Sequence, residues 1–252
     1  MRSALAAGLC ALLAPAVSAG SRVRVNTASG TFEERDTSTG ITRQVYFHGV
    51  NWVRKGAPYI ADVVDCDAIP GGPLPPCPPS QKWVLTDADA ALLAHQGINA
   101  VRLGVMWPGA MPNGPGQFNA SYFNQVERIV DALWKHEIYT IIDLYQDVLS
   151  PRICGEGAPL WVDVTQAALG GLPFPLPLGL KPLATLPNGL PNCSAAPTPI
   201  GWSSFYLSDT CGRAFAAIYK DLPPQRLGTQ LALFWAEVAR RFTRKDGVLA
   251  YE

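Results

Sequence analysis

The sequence predicts an α/β fold: an incomplete (β/α)8 TIM barrel of about the first four strand-helix units, with long proline-rich loops. Two observations predict it. Apolar, strand-like stretches alternate along the chain with stretches of helical periodicity, which is the order of a parallel sheet with helical crossovers. Only four such strands can be found in the 252 residues, whereas a closed barrel needs eight.

The elements follow from apolar spacing and from breakers. Helical spacing predicts four helices, and apolar runs predict strands between them. Prolines exclude regular structure from two long loops, residues 53–83 and 148–204. The expected strands are at 41–52, 99–107, from 139 onward and from 247 onward, and the expected helices are at 86–96, 119–137, 205–220 and 227–242.

Residues 138–157, IYTIIDLYQDVLSPRICGEG, carry the clearest sign of a functional site. A buried β-branched run passes directly into polar residues and breakers, as at the functional mouth of a parallel barrel. If the strand stays extended, Asp143, Tyr145 and Asp147 share one face. Two acids and a phenol are costly to bury without partners, which predicts a wet pocket. The alternative is that Asp143 is a satisfied core acid and Asp147 merely ends the strand.

The N-terminus predicts secretion. Arg2 precedes an apolar run, and small residues follow, so residues 1–19 are expected to be a signal peptide cleaved after Ala19. An uncleaved anchor is the alternative. Residues 20–40 are predicted to form an N-terminal hairpin, and residues 41–252 the main domain.

Cysteine usage agrees with an oxidising compartment. Five cysteines follow the signal segment, at positions 66, 77, 154, 193 and 211. Cys66 and Cys77 bracket a proline-rich loop and are the expected disulfide. No CxxC pair or His/Cys spacing indicates zinc, so neither a metal nor another cofactor is expected. Net charge is zero with 20 Lys and Arg residues, which gives no electrostatic footprint for nucleic acid.

The proline-rich segment GLPFPLPLGLKPLATLPNGL leaves two interpretations open. Its interleaved leucines and Phe174 cannot form a helix or a central strand, so an extended surface excursion is expected. Exposed side chains of this kind indicate a docking surface for something apolar, including peripheral contact with membrane lipid. In the other interpretation the loop folds back and buries them.

Several motifs, in this order, resemble the endoglycoceramidases, secreted retaining glycosidases of glycoside hydrolase family 5. They are GVNWVRKGAPY, VRLGVMWPGAMPNGPGQFN, IYTIIDLYQDVLSPRICGEGAPLW, the FPLPL run and YLSDTCGRAFAAIY. The resemblance implies that residues 41–252 are the N-terminal half of a glycoside hydrolase barrel. It also implies a glycolipid or oligosaccharide substrate, with steryl glucosides as a neighbouring class.

The resemblance also assigns substrate-binding residues. Lys55 resembles the family lysine at the sugar-binding end of the first strand, and Arg102 the arginine of the second strand. Asp143 and Asp147 match the two acids of the family's Asp-x-His-Gln-Asp pattern, in which Tyr145 stands in place of histidine. This substitution removes a group that titrates near neutral pH.

The resemblance implies that no catalytic residue lies in this sequence. A retaining glycosidase needs two carboxyl groups about 5 Å apart. In the family both are glutamates that follow GVLAYE, so Glu252 precedes the acid/base and the nucleophile is absent. The expectation is a truncated product of a glycolipid hydrolase. The alternatives are a natural half-barrel with a partner, a secreted non-catalytic carbohydrate-binding pseudoenzyme, and a polysaccharide glucanase.

Overall fold

The computed structural model describes residues 23–36, 38–60, 85–179, 181–195, 201–223 and 225–252. The predicted signal peptide and the predicted Cys66–Cys77 pair lie outside these residues. Two compact units divide the chain, Met1–Tyr46 and Phe47–Glu252. In the first, three antiparallel strands form a small sheet: β1 (Val23–Asn26), β2 (Thr31–Arg35) and β3 (Thr42–Val45).

The single strand predicted at 41–52 is two strands that belong to different sheets. β3 pairs with β2, where Val45 faces Phe32. The next strand, β4 (Gly49–Trp52), pairs instead with the parallel sheet, where Gly49 faces Ala100. A Cβ at position 49 would collide with the Ala100 carbonyl, so only glycine permits this approach. The small unit therefore extends to Tyr46, past the boundary predicted at residue 40.

The second unit is built on the parallel sheet that the sequence predicts. Its strands lie in chain order, β4, β5 (Ala100–Gly104), β6 (Tyr139–Asp143) and β7 (Val248–Tyr251). All three neighbouring pairs are parallel, so the chain returns between strands through crossovers. An incomplete α/β barrel is thereby confirmed.

Helices occupy the crossovers, and their caps explain where they begin. Thr86 caps α1 in a capping box with Asp89, and Asn119 caps α3 by accepting from the Tyr122 amide. The predicted helix at 205–220 is a 3-10 helix, Trp202–Leu207, followed at Ser208 by α5. The helices are α1 (Asp87–His95), α2 (Trp107–Ala110), α3 (Ala120–Trp134), α4 (Gln166–Leu169), α5 (Asp209–Lys220) and α6 (Leu227–Phe242), with further 3-10 turns at Pro151–Ile153 and Cys193–Ala195.

The helices cover one face of the sheet. Leu103 and Ile142 are buried in one core with Phe123 of α3. The opposite face is less protected, since the paired row Asn51, Arg102, Ile141 and Ala250 is intermediate or exposed in every strand. Polar groups placed on this row near the strand ends are therefore open to a ligand. In the part of the chain that is described, no helix combines the length and apolarity needed to cross a bilayer.

The proline-rich loop partly folds back onto its own domain. The Phe174 ring packs on Phe205 with centroids 5.0 Å apart, and Leu178 packs against the core. Leu172, in contrast, remains 46% exposed. The interpretation that the loop folds back therefore holds for Phe174 and Leu178, and docking of an apolar partner at the exposed residues stays a prediction.

Candidate functional site

The site begins where β6 ends, at Asp143. The extended face predicted from Asp143 to Asp147 is wrong, because Tyr145 and Val148 adopt left-handed φ values of 46° and 50°. A return pairing follows: the Asp147 amide donates to the Glu156 carbonyl at 2.9 Å, and the Glu156 amide to the Asp147 carbonyl at 2.7 Å. The chain reverses within residues 148–155 to make this bridge, and the left-handed Val148 opens that reversal.

Asp143 is the buried acid of the site, with 3% of its surface exposed. Its Oδ1 accepts from the Tyr145 amide at 2.9 Å, and its Oδ2 lies 3.1 Å from Arg102 Nη2. Burial raises the pKa of Asp143, while the Tyr145 amide and the Arg102 charge act in the opposite direction. The carboxyl is thus a buried acid that has one hydrogen bond and one ion pair, and it forms one wall of the site.

Arg102 joins two acids. Its Nε and Nη2 donate to the two carboxylate oxygens of Glu252 at 2.8 and 2.9 Å, a bidentate pair. These hydrogen bonds lower the pKa of Glu252. The Arg102 guanidinium also lies 5.3 Å from the centroid of the Tyr145 ring, within cation–π range.

Lys55 also lies within cation–π range of Tyr145 and also pairs with two acids. Its Nζ lies 2.9 Å from Asp147 Oδ2, 2.6 Å from Glu156 Oε1 and 5.1 Å from the Tyr145 ring centroid. Burial alone would lower the pKa of Lys55, but the hydrogen bonds to Glu156 and Asp147 raise it above its usual range. The ammonium therefore stays charged at any physiological pH.

The five predicted site residues form one contiguous cluster. Tyr145 contacts both cations, and Lys55 pairs with Asp147 while Arg102 pairs with Asp143. The turn after Asp143 brings these side chains together, whereas alternation along an extended strand was predicted to do so.

Four further residues belong to the cluster and were missed as site residues: Glu156, Glu252, Trp202 and Tyr206. The Trp202 ring lies 5.8 Å from Lys55 Nζ, and the Tyr206 hydroxyl donates to Asp147 Oδ1 at 3.4 Å. Glu156 lies in the polar burst 138–157, which was a usable signal. Trp202 and Tyr206 carried none, because their approach depends on how residues 148–204 fold.

A disulfide braces the loop that carries Glu156. Cys154 bonds to Cys193, with Cα atoms 5.6 Å apart, and so ties this loop to the 3-10 turn at Cys193–Ala195. Cys211 is a buried free thiol of α5, and burial raises its pKa to about 11. Among the described residues, no group of three or more His, Cys, Asp or Glu side chains could hold a metal ion.

Comparison with known proteins agrees with this architecture. Residues 75–174 match the family model Cellulase (glycosyl hydrolase family 5). The chain is 32% identical over 217 residues to the Endoglycoceramidase of Hydra vulgaris, covering 84% of this chain and 37% of the relative. It is 30% identical over 223 residues to the Endoglycoceramidase of Cyanea nozakii, covering 87% of this chain and 40% of the relative.

Solved structures agree as well. The lactosyl-enzyme intermediate of Endo-glycoceramidase II from Rhodococcus sp. superposes with a TM-score of 0.54 at 25% identity, covering 86% of this chain and 41% of that one. An endogalactoceramidase crystal structure superposes with a TM-score of 0.56 at 22% identity, covering 92% and 43% of the two chains. The latter shows the fold alone.

The chain has the strand-helix order of a partial (β/α)8 barrel, and in fold and sequence it is similar to glycosidases of that class. Within this class, the chain is an endoglycoceramidase-like sequence of glycosyl hydrolase family 5. It spans 37% and 40% of the length of the two curated relatives named above.

Proposed function

We propose that the full-length protein is a retaining glycosidase that cleaves the β-glycosidic bond between a sugar and a lipid, and that the Tyr145-centred cluster holds the sugar. The observation that carries this proposal is the Lys55–Asp147 pair, 2.9 Å long, at the carboxyl ends of the strands. In (β/α)8 barrels this end of the sheet is where ligands bind.

The chemistry of the cluster suits a sugar ring. Sugar hydroxyls both donate and accept hydrogen bonds, and the cluster offers cationic donors at Lys55 and Arg102 beside carboxylate acceptors at Asp143 and Asp147. Trp202 is 56% exposed beside Lys55, which supplies an apolar surface for the ring's C–H faces.

A glycolipid is the favoured substrate, either a glycosphingolipid or a steryl glucoside. Relatives carry the names Endoglycoceramidase, Glucosylceramidase and Ergosteryl-beta-glucosidase. Leu172 and Leu207 are 46% and 74% exposed, and Leu172 accepts a hydrogen bond from Thr210, close to Leu207 in the chain. These side chains would meet the lipid part and make peripheral contact with membrane lipid, in a protein secreted after cleavage at Ala19.

The two catalytic carboxyl groups are proposed to lie in sequence that follows residue 252. A retaining mechanism needs a nucleophile and an acid/base about 5 Å apart. The family resemblance assigns both roles to glutamates after GVLAYE and assigns sugar binding to the residues present here. The 252-residue chain alone is therefore expected to bind sugar without cleaving it.

A fluorescent glycolipid assay tests this proposal. The 252-residue chain should show no turnover, and the longest product of the transcript should release the sugar with retained anomeric configuration. Turnover by the 252-residue chain would contradict the assignment of the catalytic pair. Absence of turnover in the longest product, when an Asn-Glu-Pro follows Glu252, would contradict the activity itself.

Tyr145 favours a second candidate function, a secreted carbohydrate-binding pseudoenzyme. Its ring centroid lies 5.1 Å from Lys55 and 5.3 Å from Arg102, at the position where the family pattern has a titratable histidine. Assaying the longest product beside its Tyr145→His variant separates the two candidates. A hydrolase should be active with tyrosine present, whereas a pseudoenzyme should bind the glycolipid and release nothing.

A further inference from the structure

Glu156 has no role in the proposed function so far, yet it makes the shortest ion pair of the cluster. Its Oε1 lies 2.6 Å from Lys55 Nζ. Two backbone hydrogen bonds join Glu156 to Asp147, and the side chains of both acids pair with the same ammonium, that of Lys55. The disulfide at Cys154, two residues earlier, restrains the same loop.

This arrangement uses most of the binding capacity of Lys55. An ammonium has three donors, and here one of them is donated to Asp147 Oδ2 at 2.9 Å, while Glu156 Oε1 forms an ion pair with the same nitrogen at 2.6 Å. The rings of Tyr145 and Trp202 lie over the same nitrogen. Lys55 is 47% exposed and would otherwise attract an anionic ligand, but its charge is outweighed by its two partners.

The other half of the cluster repeats the pattern. Arg102 stands between Asp143 and Glu252. The described cluster thus sets two positive charges against four carboxylates, a net charge of −2 when all are ionised. Burial favours the protonated form of Asp143, and with that proton bound the net charge is −1. The site is negative in either state.

We propose that Glu156 is a specificity-determining residue, through which this sugar site accepts neutral and amino sugars and rejects rings that carry a carboxylate or a sulfate. The inference rests on the proposed function and names the substrate class of the same site. A neutral hydroxyl can use the remaining donor of Lys55 and can donate to the outer carboxylate oxygens. An acidic group only accepts, and it meets a negative field at short range.

Three sugars with the same ring stereochemistry and different charges provide the test: methyl β-glucoside (neutral), methyl β-glucosaminide (an ammonium at C2) and methyl β-glucuronide (a carboxylate at C6). The 252-residue chain is titrated with each at low salt, and binding is followed through the amide signals of residues 143–156. The glucuronide should bind about tenfold more weakly than the glucoside, and the glucosaminide at least as tightly. Glu156→Gln should reduce the ratio of the glucuronide Kd to the glucoside Kd about fivefold, since it removes one negative charge at the site.

Asp131→Asn is the matched control. Asp131 also forms a carboxylate–lysine pair, with Lys245 at 2.8 Å, but it lies near the end of α3 that leads to the opposite end of β6. Asp131→Asn changes the net charge of the protein by the same amount as Glu156→Gln. It should leave the ratio of the glucoside and glucuronide affinities unchanged.

Each outcome decides one claim. Failure of the glucoside to bind overturns the proposed function and the inference with it. Equal binding of glucoside and glucuronide overturns the inference alone. Should Glu156→Gln not fold, the wild-type chain still decides the matter. Its affinity for the glucuronide should rise as added salt screens the repulsion, and a flat or falling salt response overturns the inference.

Discussion

Lys55 and Asp147 form a 2.9 Å ion pair across 92 positions of the sequence. The lysine follows β4 and the aspartate follows β6, so the pair connects the ends of two strands that are separated by β5. A contact of this span forms only when the parallel sheet is in register, which makes the site a consequence of the fold.

Removing Arg102 should show how much its charge stabilises the buried carboxyl of Asp143. Arg102→Met leaves that carboxyl without its cation, and we expect the free energy of unfolding to fall by about 2 kcal/mol. Adding Asp143→Asn should recover most of the loss, which urea unfolding of the single and double variants measures. Arg240→Met is the control, because Arg240 is itself exposed and its partner Glu237 keeps Arg241, so stability should change by less than about 0.5 kcal/mol. Additive losses in the double variant would contradict the pairing.

Burial of Cys211 should lower the stability of the protein at alkaline pH. Burial raises the pKa of this thiol from 9.0 to about 11, so the unfolded chain releases the proton at a lower pH than the folded one. The free energy of unfolding should therefore decline as pH rises from 9.0 to about 11, beyond the decline due to other groups. Cys211→Ala should be less stable by about 1 kcal/mol because of the cavity, but should lack this part of the slope. Parallel curves for the two proteins would refute the assignment.

The Cys154–Cys193 disulfide should stabilise the fold and brace Glu156. It joins residues 39 positions apart, and a loop of this length predicts a loss of about 4 kcal/mol on removal. Replacing both cysteines with serine should lower the thermal midpoint and weaken sugar binding. A peptide map of the oxidised protein should show this pair joined and Cys211 as a free thiol. A different partner for Cys154 would contradict the structure.

The contact between α3 and the sheet should dominate stability. Phe123 is fully buried on α3, so Phe123→Ala should lower the free energy of unfolding by about 4 kcal/mol. Leu92 on α1 is 55% exposed, and Leu92→Ala should change it by less than about 0.5 kcal/mol. Comparable losses in the two variants would mean that the helices do not pack as described.

Much of the fold follows from local sequence. The β-branched run at β6, the helical spacing of α3 and α6, and the capping residues Thr86 and Asn119 each act within a few positions. Their elements were predicted because the deciding interactions are local. The five site residues were also found to cluster as expected, since the ends of parallel strands meet at one edge.

What the sequence could not predict depends on distant partners. The division of 41–52 into β3 and β4 depends on which sheet each half pairs with. The reversal after Asp147 depends on the bridge to Glu156, and nothing local marks the left-handed conformation of Tyr145. The partner of Cys154 lies 39 positions away, and cysteine spacing does not specify it.

The central claim is that the Tyr145-centred cluster holds a sugar through Lys55. The most direct measurement is a titration of the 252-residue chain with lactose, followed through the amide signals of Tyr145 and Glu156. Saturable shifts are expected for the wild type and for Lys245→Met, whose lysine pairs with Asp131 on α3, away from the site. Lys55→Met, folded as judged by its thermal midpoint, should bind at least about tenfold more weakly. Equal affinity in Lys55→Met and the wild type would contradict the account.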